Sequence, residues 1–146
     1  MNLNINTKTK NLILLIAAIV SIAALLLLPV LVVSQGTTSM DADALDFLFD
    51  DMWEEFRSDG TLAVIGTILA IVGSGAAIYF SLKSKKAYFL YASIAVAVGN
   101  LFYLINAGDW NSKYLSLANA GFGVWLSFIA SLLCIAGCFV KANDEQ

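Results

Sequence analysis

At 146 residues, with 60% hydrophobic and 13% charged side chains and a mean hydropathy of +0.81, this chain departs from soluble domains, which carry about a quarter charged residues. It has no histidine, and its two cysteines, Cys134 and Cys138, sit in an apolar segment, so neither a disulfide framework nor a zinc cluster can form. A net charge of −3 says less than the placement of the charges.

Four stretches contain no Asp, Glu, Lys or Arg: residues 11–40, 60–82, 87–108 and 114–140. A bilayer core of roughly 30 Å takes about 20 helical residues, and every stretch is long enough. Lipid cannot satisfy an open backbone, and runs such as Leu12–Ala18 lack the alternation of a barrel strand. The reading is an all-α integral membrane four-helix bundle, one transmembrane domain over residues 1–146. Its spans are placed at Leu12–Val33, Leu62–Leu82, Tyr88–Ile105 and Asn119–Val140.

The first span follows Lys8 and Lys10. Its apolar run exceeds a signal-peptide core of roughly 7–15 residues, and Val32-Val33-Ser34-Gln35-Gly36 is a poor cleavage site, so it reads as an uncleaved anchor. Pro29 should bend or loosen its far end.

Ser34–Gly60 is the longest connection, and a short amphipathic helix is expected at about 41–57. Leu45, Leu48, Phe49, Met52, Trp53 and Phe56 fall on one helical stripe, with Asp43, Asp46, Asp50, Asp51, Glu54 and Glu55 on the other faces. Thr38, Ser39 and Asp41 are candidate N-caps, and Gly60 a stop. Six large apolar side chains at about 1.5–3 kcal/mol each are too costly to leave in water. The stripe either lies in the lipid boundary or packs on protein. Interfacial helices usually carry a basic face, and this one is acidic, which favours protein. The stripe, with Asp50, Asp51, Glu54 and Glu55, is therefore the expected partner-binding segment. A calcium loop at Asp41-x-Asp43-x-x-Asp46 would lack the Gly and terminal Glu of an EF-hand.

The second span carries Gly66, Ala70, Gly73, Ser74, Gly75 and Ala77, and the third Ala92, Ala95 and Gly99. The fourth has Gly123, Ser127 and Ser131 at four-residue steps, with Ala130, Cys134 and Cys138 on a neighbouring ridge. Small residues so spaced let helices approach closely. Gly73, Asn100, Gly123, Ser127 and Ser131 are the expected helix-packing residues. Asn100, mid-span, reads as an interhelical hydrogen bond or, alternatively, as a pore lining. Asn106 and Asn119, near the outer ends, are expected to be hydrated. Cys134 and Cys138 read as small packing residues, with acylation of Cys138 as the alternative. Apart from Cys and Tyr, no span contains an ionisable residue, which argues against ion or proton pumping. Trp110 and Tyr114 mark one interface, Tyr88 and Tyr91 the other.

Lysine and arginine set the expected orientation. Lys8, Lys10, Lys83, Lys85, Lys86 and Lys141 lie on one side and Arg57 and Lys113 on the other, six against two. Both termini are thus expected in the cytoplasm and the chain in the cell membrane.

Cytoplasmic ends, a long first outer loop, a short inner loop and the run Ala120-Gly121-Phe122-Gly123-Val124-Trp125-Leu126 continuing into Leu132–Cys138 resemble the claudin-like four-helix proteins. The resemblance implies a shared architecture. The claudin outer-loop signature, a tryptophan, Gly-Leu-Trp and two cysteines, is absent; Trp53 is the loop's only tryptophan, and the loop is too short for the claudin outer sheet.

No catalytic constellation is present, so the expectation is a non-enzymatic assembly or accessory subunit of a membrane complex. Its expected partners are membrane lipid, further copies of itself or other membrane-protein subunits. No cofactor, metal or nucleic acid is expected. The competing class is a pore or carrier for a small neutral or cationic solute, whose acidic loop would gather cations at the entrance.

Overall fold

The computed structural model describes residues 7–35, 38–49, 61–83, 85–113, 117–120 and 122–139. Four long helices make the bundle: α1 (Thr7–Leu27), α3 (Thr61–Leu82), α4 (Lys86–Lys113) and α5 (Phe122–Phe139). Each is long and apolar enough to cross a membrane, so the chain is a multi-pass membrane protein. A one-and-a-half-turn helix, α2 (Ala44–Phe49), and three short strands, β1 (Leu31–Gln35), β2 (Thr38–Ala42) and β3 (Leu117–Ala120), gather at one end. The lysines Lys8, Lys10, Lys83, Lys85 and Lys86 lie at the other.

The helices form a ring. α1 packs on α3 and α5, and α4 packs on the same two, while the diagonals meet little. The α3–α4 pair is the most extensive contact, and its sequence explains why. Gly66 and Gly99 face each other: a Cβ on Gly66 would collide with the Gly99 carbonyl oxygen, and one on Gly99 would lie 2.9 Å from the Ala70 nitrogen. Backbone touches backbone there, which only glycine permits.

The all-α bundle expected from composition is present, with a small sheet added at one end. β1 is its central strand, antiparallel to β2 on one side and to β3 on the other. The first loop alone is short for a sheet, but it borrows β3 from the second loop, pairing Leu31 with Ala120 and Ser34 with Leu117. The expected first span to Val33 is therefore too long. Pro29 cannot donate the next helical hydrogen bond, α1 stops at Leu27, and the β-branched Val32 and Val33 enter β1. The carbonyl of Pro29 then accepts from the Gly123 N–H (2.8 Å), tying the exit of α1 to the entry of α5.

The other edges shift for similar reasons. α4 runs on to Lys113 rather than ending at Ile105, because Asp109 and Lys113 interrupt the hydrophobic run without interrupting a helix. Its extension packs against β3. Asn106 is consequently buried rather than hydrated. The fourth span begins at Phe122, since Asn119 and Ala120 belong to β3.

Candidate functional site

Two constellations stand out, one in the middle of the bundle and one at its sheet end. The first is polar. Asn100 Nδ2 on α4 donates to Ser127 Oγ on α5 (3.0 Å), Ser127 Oγ bonds to Ser21 Oγ on α1 (2.8 Å), and Ser21 Oγ bonds to Ser74 Oγ on α3 (2.9 Å). All four side chains are buried. One residue from each long helix thus joins a hydrogen-bonded chain running around the ring from α4 to α3. It spans three of the four helix interfaces; the fourth, α3–α4, is the glycine contact. Polar groups buried in an apolar bundle hold a unique register only when their bonds are made, and here each partner is supplied by a different helix.

The neighbouring hydroxyls are spent locally. Ser131 donates to the Phe128 carbonyl (2.6 Å), Ser93 to Phe89 (2.9 Å) and Thr67 to Ala63 (2.8 Å). A cavity of about 10 Å³ beside Ser21, Ser74, Ser93 and Ser131 has room for no more than about one water molecule. Ser21→Ala should remove two interhelical bonds and cost about 1 kcal/mol, at about 0.6 kcal/mol per bond. Ser131→Ala, whose bond stays within its own helix, should cost less. Thermal unfolding of the two purified variants in one detergent checks the ordering, and an equal cost would refute the cross-helix role of Ser21.

The expected packing residues all lie at helix contacts. Gly73 faces α4, where a Cβ would come within 2.9 Å of Val96 Cγ2. Gly123 faces the end of α1, where a Cβ would lie 2.5 Å from the Ala24 carbonyl oxygen. Asn100 and Ser127 are in the polar chain, and Ser131 borders its cavity. Sequence reasoning passed over Ser21, although it is the one polar side chain between Asn11 and Ser34.

The second constellation is α2. Asp43 caps it, accepting from the Asp46 N–H through Oδ1 (2.9 Å), while the Asp43 carbonyl takes the Phe47 N–H (2.9 Å). Thr38, Ser39 and Asp41, the expected caps, are in β2, so the helix starts later than 41. The stripe divides. Leu48 packs against the core, but Leu45 (48% exposed) and Phe49 (75% exposed) face outward. The buried face is Ala44 and Phe47, neither of which belonged to the expected stripe. Phe47 and Tyr103 meet edge to face, their ring centroids 5.7 Å apart, within a cluster that includes Leu25, Val30, Ala42 and Val124. Met52, Trp53, Phe56, Asp50, Asp51, Glu54 and Glu55 lie outside the described residues.

The bundle centre is closed by its own hydrogen bonds, and the sheet end presents an anchored helix, α2, with Leu45 and Phe49 turned outward. No family model, curated protein or solved structure matches this chain.

Proposed function

We propose that the chain is a non-enzymatic assembly or accessory subunit of a membrane complex, held in the cell membrane with both termini and the Lys83–Lys86 turn in the cytoplasm. Small-residue faces pack its own helices, and the extracytoplasmic face offers α2 and the acidic run after it to a partner. The partner is a second copy of this chain or another membrane subunit that presents a basic rim around an apolar centre. The observation that carries this reading is the setting of α2. Phe47 and Ala44 are committed to the bundle, which turns Leu45 and Phe49 outward at the head of a segment, residues 41–59, with eight acids and one arginine. Apolar anchors within complementary charge are what protein interfaces are built from.

A second reading, a pore or carrier for a small neutral or cationic solute, draws on the Ser/Asn chain at the bundle centre. The hydroxyls there are engaged with one another beside a space of about 10 Å³, which favours a structural role.

Purification from native membranes in mild detergent, with mass spectrometry of co-purifying proteins, separates the two. Changing Asp50, Asp51, Glu54 and Glu55 to Asn and Gln, alone or with Phe49→Ala, should release a partner while the subunit stays folded. A pore would keep its partners and lose flux. If the variants leave both partners and flux unchanged, the loop is a spacer and the assembly reading fails.

A further inference from the structure

The hydrogens of the polar chain outnumber its bonds. Asn100 Nδ2 donates to Ser127, and two further bonds, Ser127–Ser21 and Ser21–Ser74, join three hydroxyls. A hydroxyl carries one hydrogen, and each of those two bonds uses one. Three hydrogens thus serve two bonds, and one is left over whichever way the bonds point. Ser93, Ser131 and Thr67 each give their hydrogen to a carbonyl of their own helix; among the described residues, Ser21, Ser74 and Ser127 do not. None of the three keeps more than 2% of its surface exposed, so bulk water does not take the hydrogen either. A donor left without an acceptor in an apolar bundle is costly. The cavity of about 10 Å³ adjoins both the excess donor and the acceptors it lacks. Ser21 and Ser74 line it, together with Ser93 and Ser131. Because the last two donate to the Phe89 and Phe128 carbonyls, what they offer a neighbour is an oxygen lone pair.

We propose that this space is the site of one bound water molecule, which accepts the leftover hydrogen and donates to Ser93 and Ser131. Its size suits a single water, which takes about 10–15 Å³, and three hydrogen bonds is the usual number for a buried one. The connectivity of the helices points the same way. The polar chain links α4 to α5, α5 to α1 and α1 to α3, and ends on Ser74. When its bonds run in one sense from Asn100, the leftover hydrogen is that of Ser74. Ser74 lies on α3 and Ser93 on α4, so a water between them adds a polar link across the interface that the chain skips. The water then closes a hydrogen-bonded ring around all four helices. A cation suits the space less well, because no carboxylate lines it among the described residues and an ion would face the leftover hydrogen. This assignment is independent of any partner at the sheet end.

An experimental structure of the full chain, at a resolution that shows ordered water, tests it. One isolated peak should lie within about 2.5–3.0 Å of the Ser74 or Ser21 Oγ and of the Ser93 or Ser131 Oγ, the range of O–H···O bonds. A space without a peak overturns the proposal, and the third hydrogen must then go to Asn100 with its amide reversed. A peak that appears in sodium buffer and vanishes when choline replaces sodium overturns water in favour of a cation. The double variant Ser93→Ala/Ser131→Ala, which removes both acceptors, should lose the peak, and a peak that persists unchanged overturns the role of those two hydroxyls. Stability in one detergent gives a further reading. Ser93→Ala should lower the melting temperature more than Thr67→Val, which removes an equally local hydroxyl that does not line the space. Equal shifts overturn the link between α3 and α4.

Discussion

Truncating Phe47 to alanine should destabilise the protein by about 3–5 kcal/mol, the usual cost of deleting a buried aromatic ring. Phe47 has no exposed surface, although it sits on a helix of only 6 residues. Such a helix has little stability of its own, so packing must hold it in place. The ring meets Tyr103 of α4 and shares a cluster with Leu25 of α1 and Val124 of α5, so its loss is felt by three long helices. Phe49→Ala, two positions away, removes the same side chain from an exposed site and should change stability by less than about 0.5 kcal/mol. Thermal unfolding of both variants in one detergent gives the comparison. Similar melting temperatures would mean that α2 is not anchored through Phe47, and the outward setting of Leu45 and Phe49 would lose its basis.

The second large effect is expected at the glycine seam. Gly66→Leu should cost at least the upper end of the roughly 1–3 kcal/mol typical of overpacked cores. In most cores a neighbouring side chain can turn aside, but the obstacle here is the carbonyl oxygen of Gly99, with Phe102 Cβ and the Tyr103 nitrogen at 3.1 and 3.2 Å. The two helices would have to separate, which opens the most extensive helix contact of the bundle. Gly75→Leu is the control, because nothing lies within 4 Å of a Cβ at that position. Loss of folded protein on size exclusion for Gly66→Leu, with normal behaviour for Gly75→Leu, is the expected pattern. Equal tolerance would place α3 and α4 farther apart than described.

The bundle was legible because its cause is local: uncharged runs of 22 to 30 residues leave a chain in lipid little choice but helix. Gly73, Gly123, Ser127 and Asn100 were legible for a related reason, since small and polar residues are conspicuous against Leu and Ile. The sheet was not, because β1 owes its second neighbour to a strand far along the chain, and Leu31-Val32-Val33 reads equally well as the tail of a span. The docked face of α2 was misread because counting large residues favoured Leu45, Leu48 and Phe49. Ala44, Phe47 and Leu48 have the same helical spacing, and only the surface they meet decides between the two sets. Ser21 needed its partners on three other helices to become meaningful.

The order of strands β2-β1-β3 has a consequence for biosynthesis. β1 and β2 can pair as soon as Ala42 is made, but the other edge of β1 stays open until Leu117 is added. At about 5–20 residues per second, the roughly 80 intervening residues take about 4–16 s to make. For that interval the nascent chain exposes Leu31, Val32 and Val33 on an unpaired edge, the kind of edge that recruits stray strands. Release of the finished polypeptide closes it, so a chain interrupted before residue 117 would be sticky as well as incomplete.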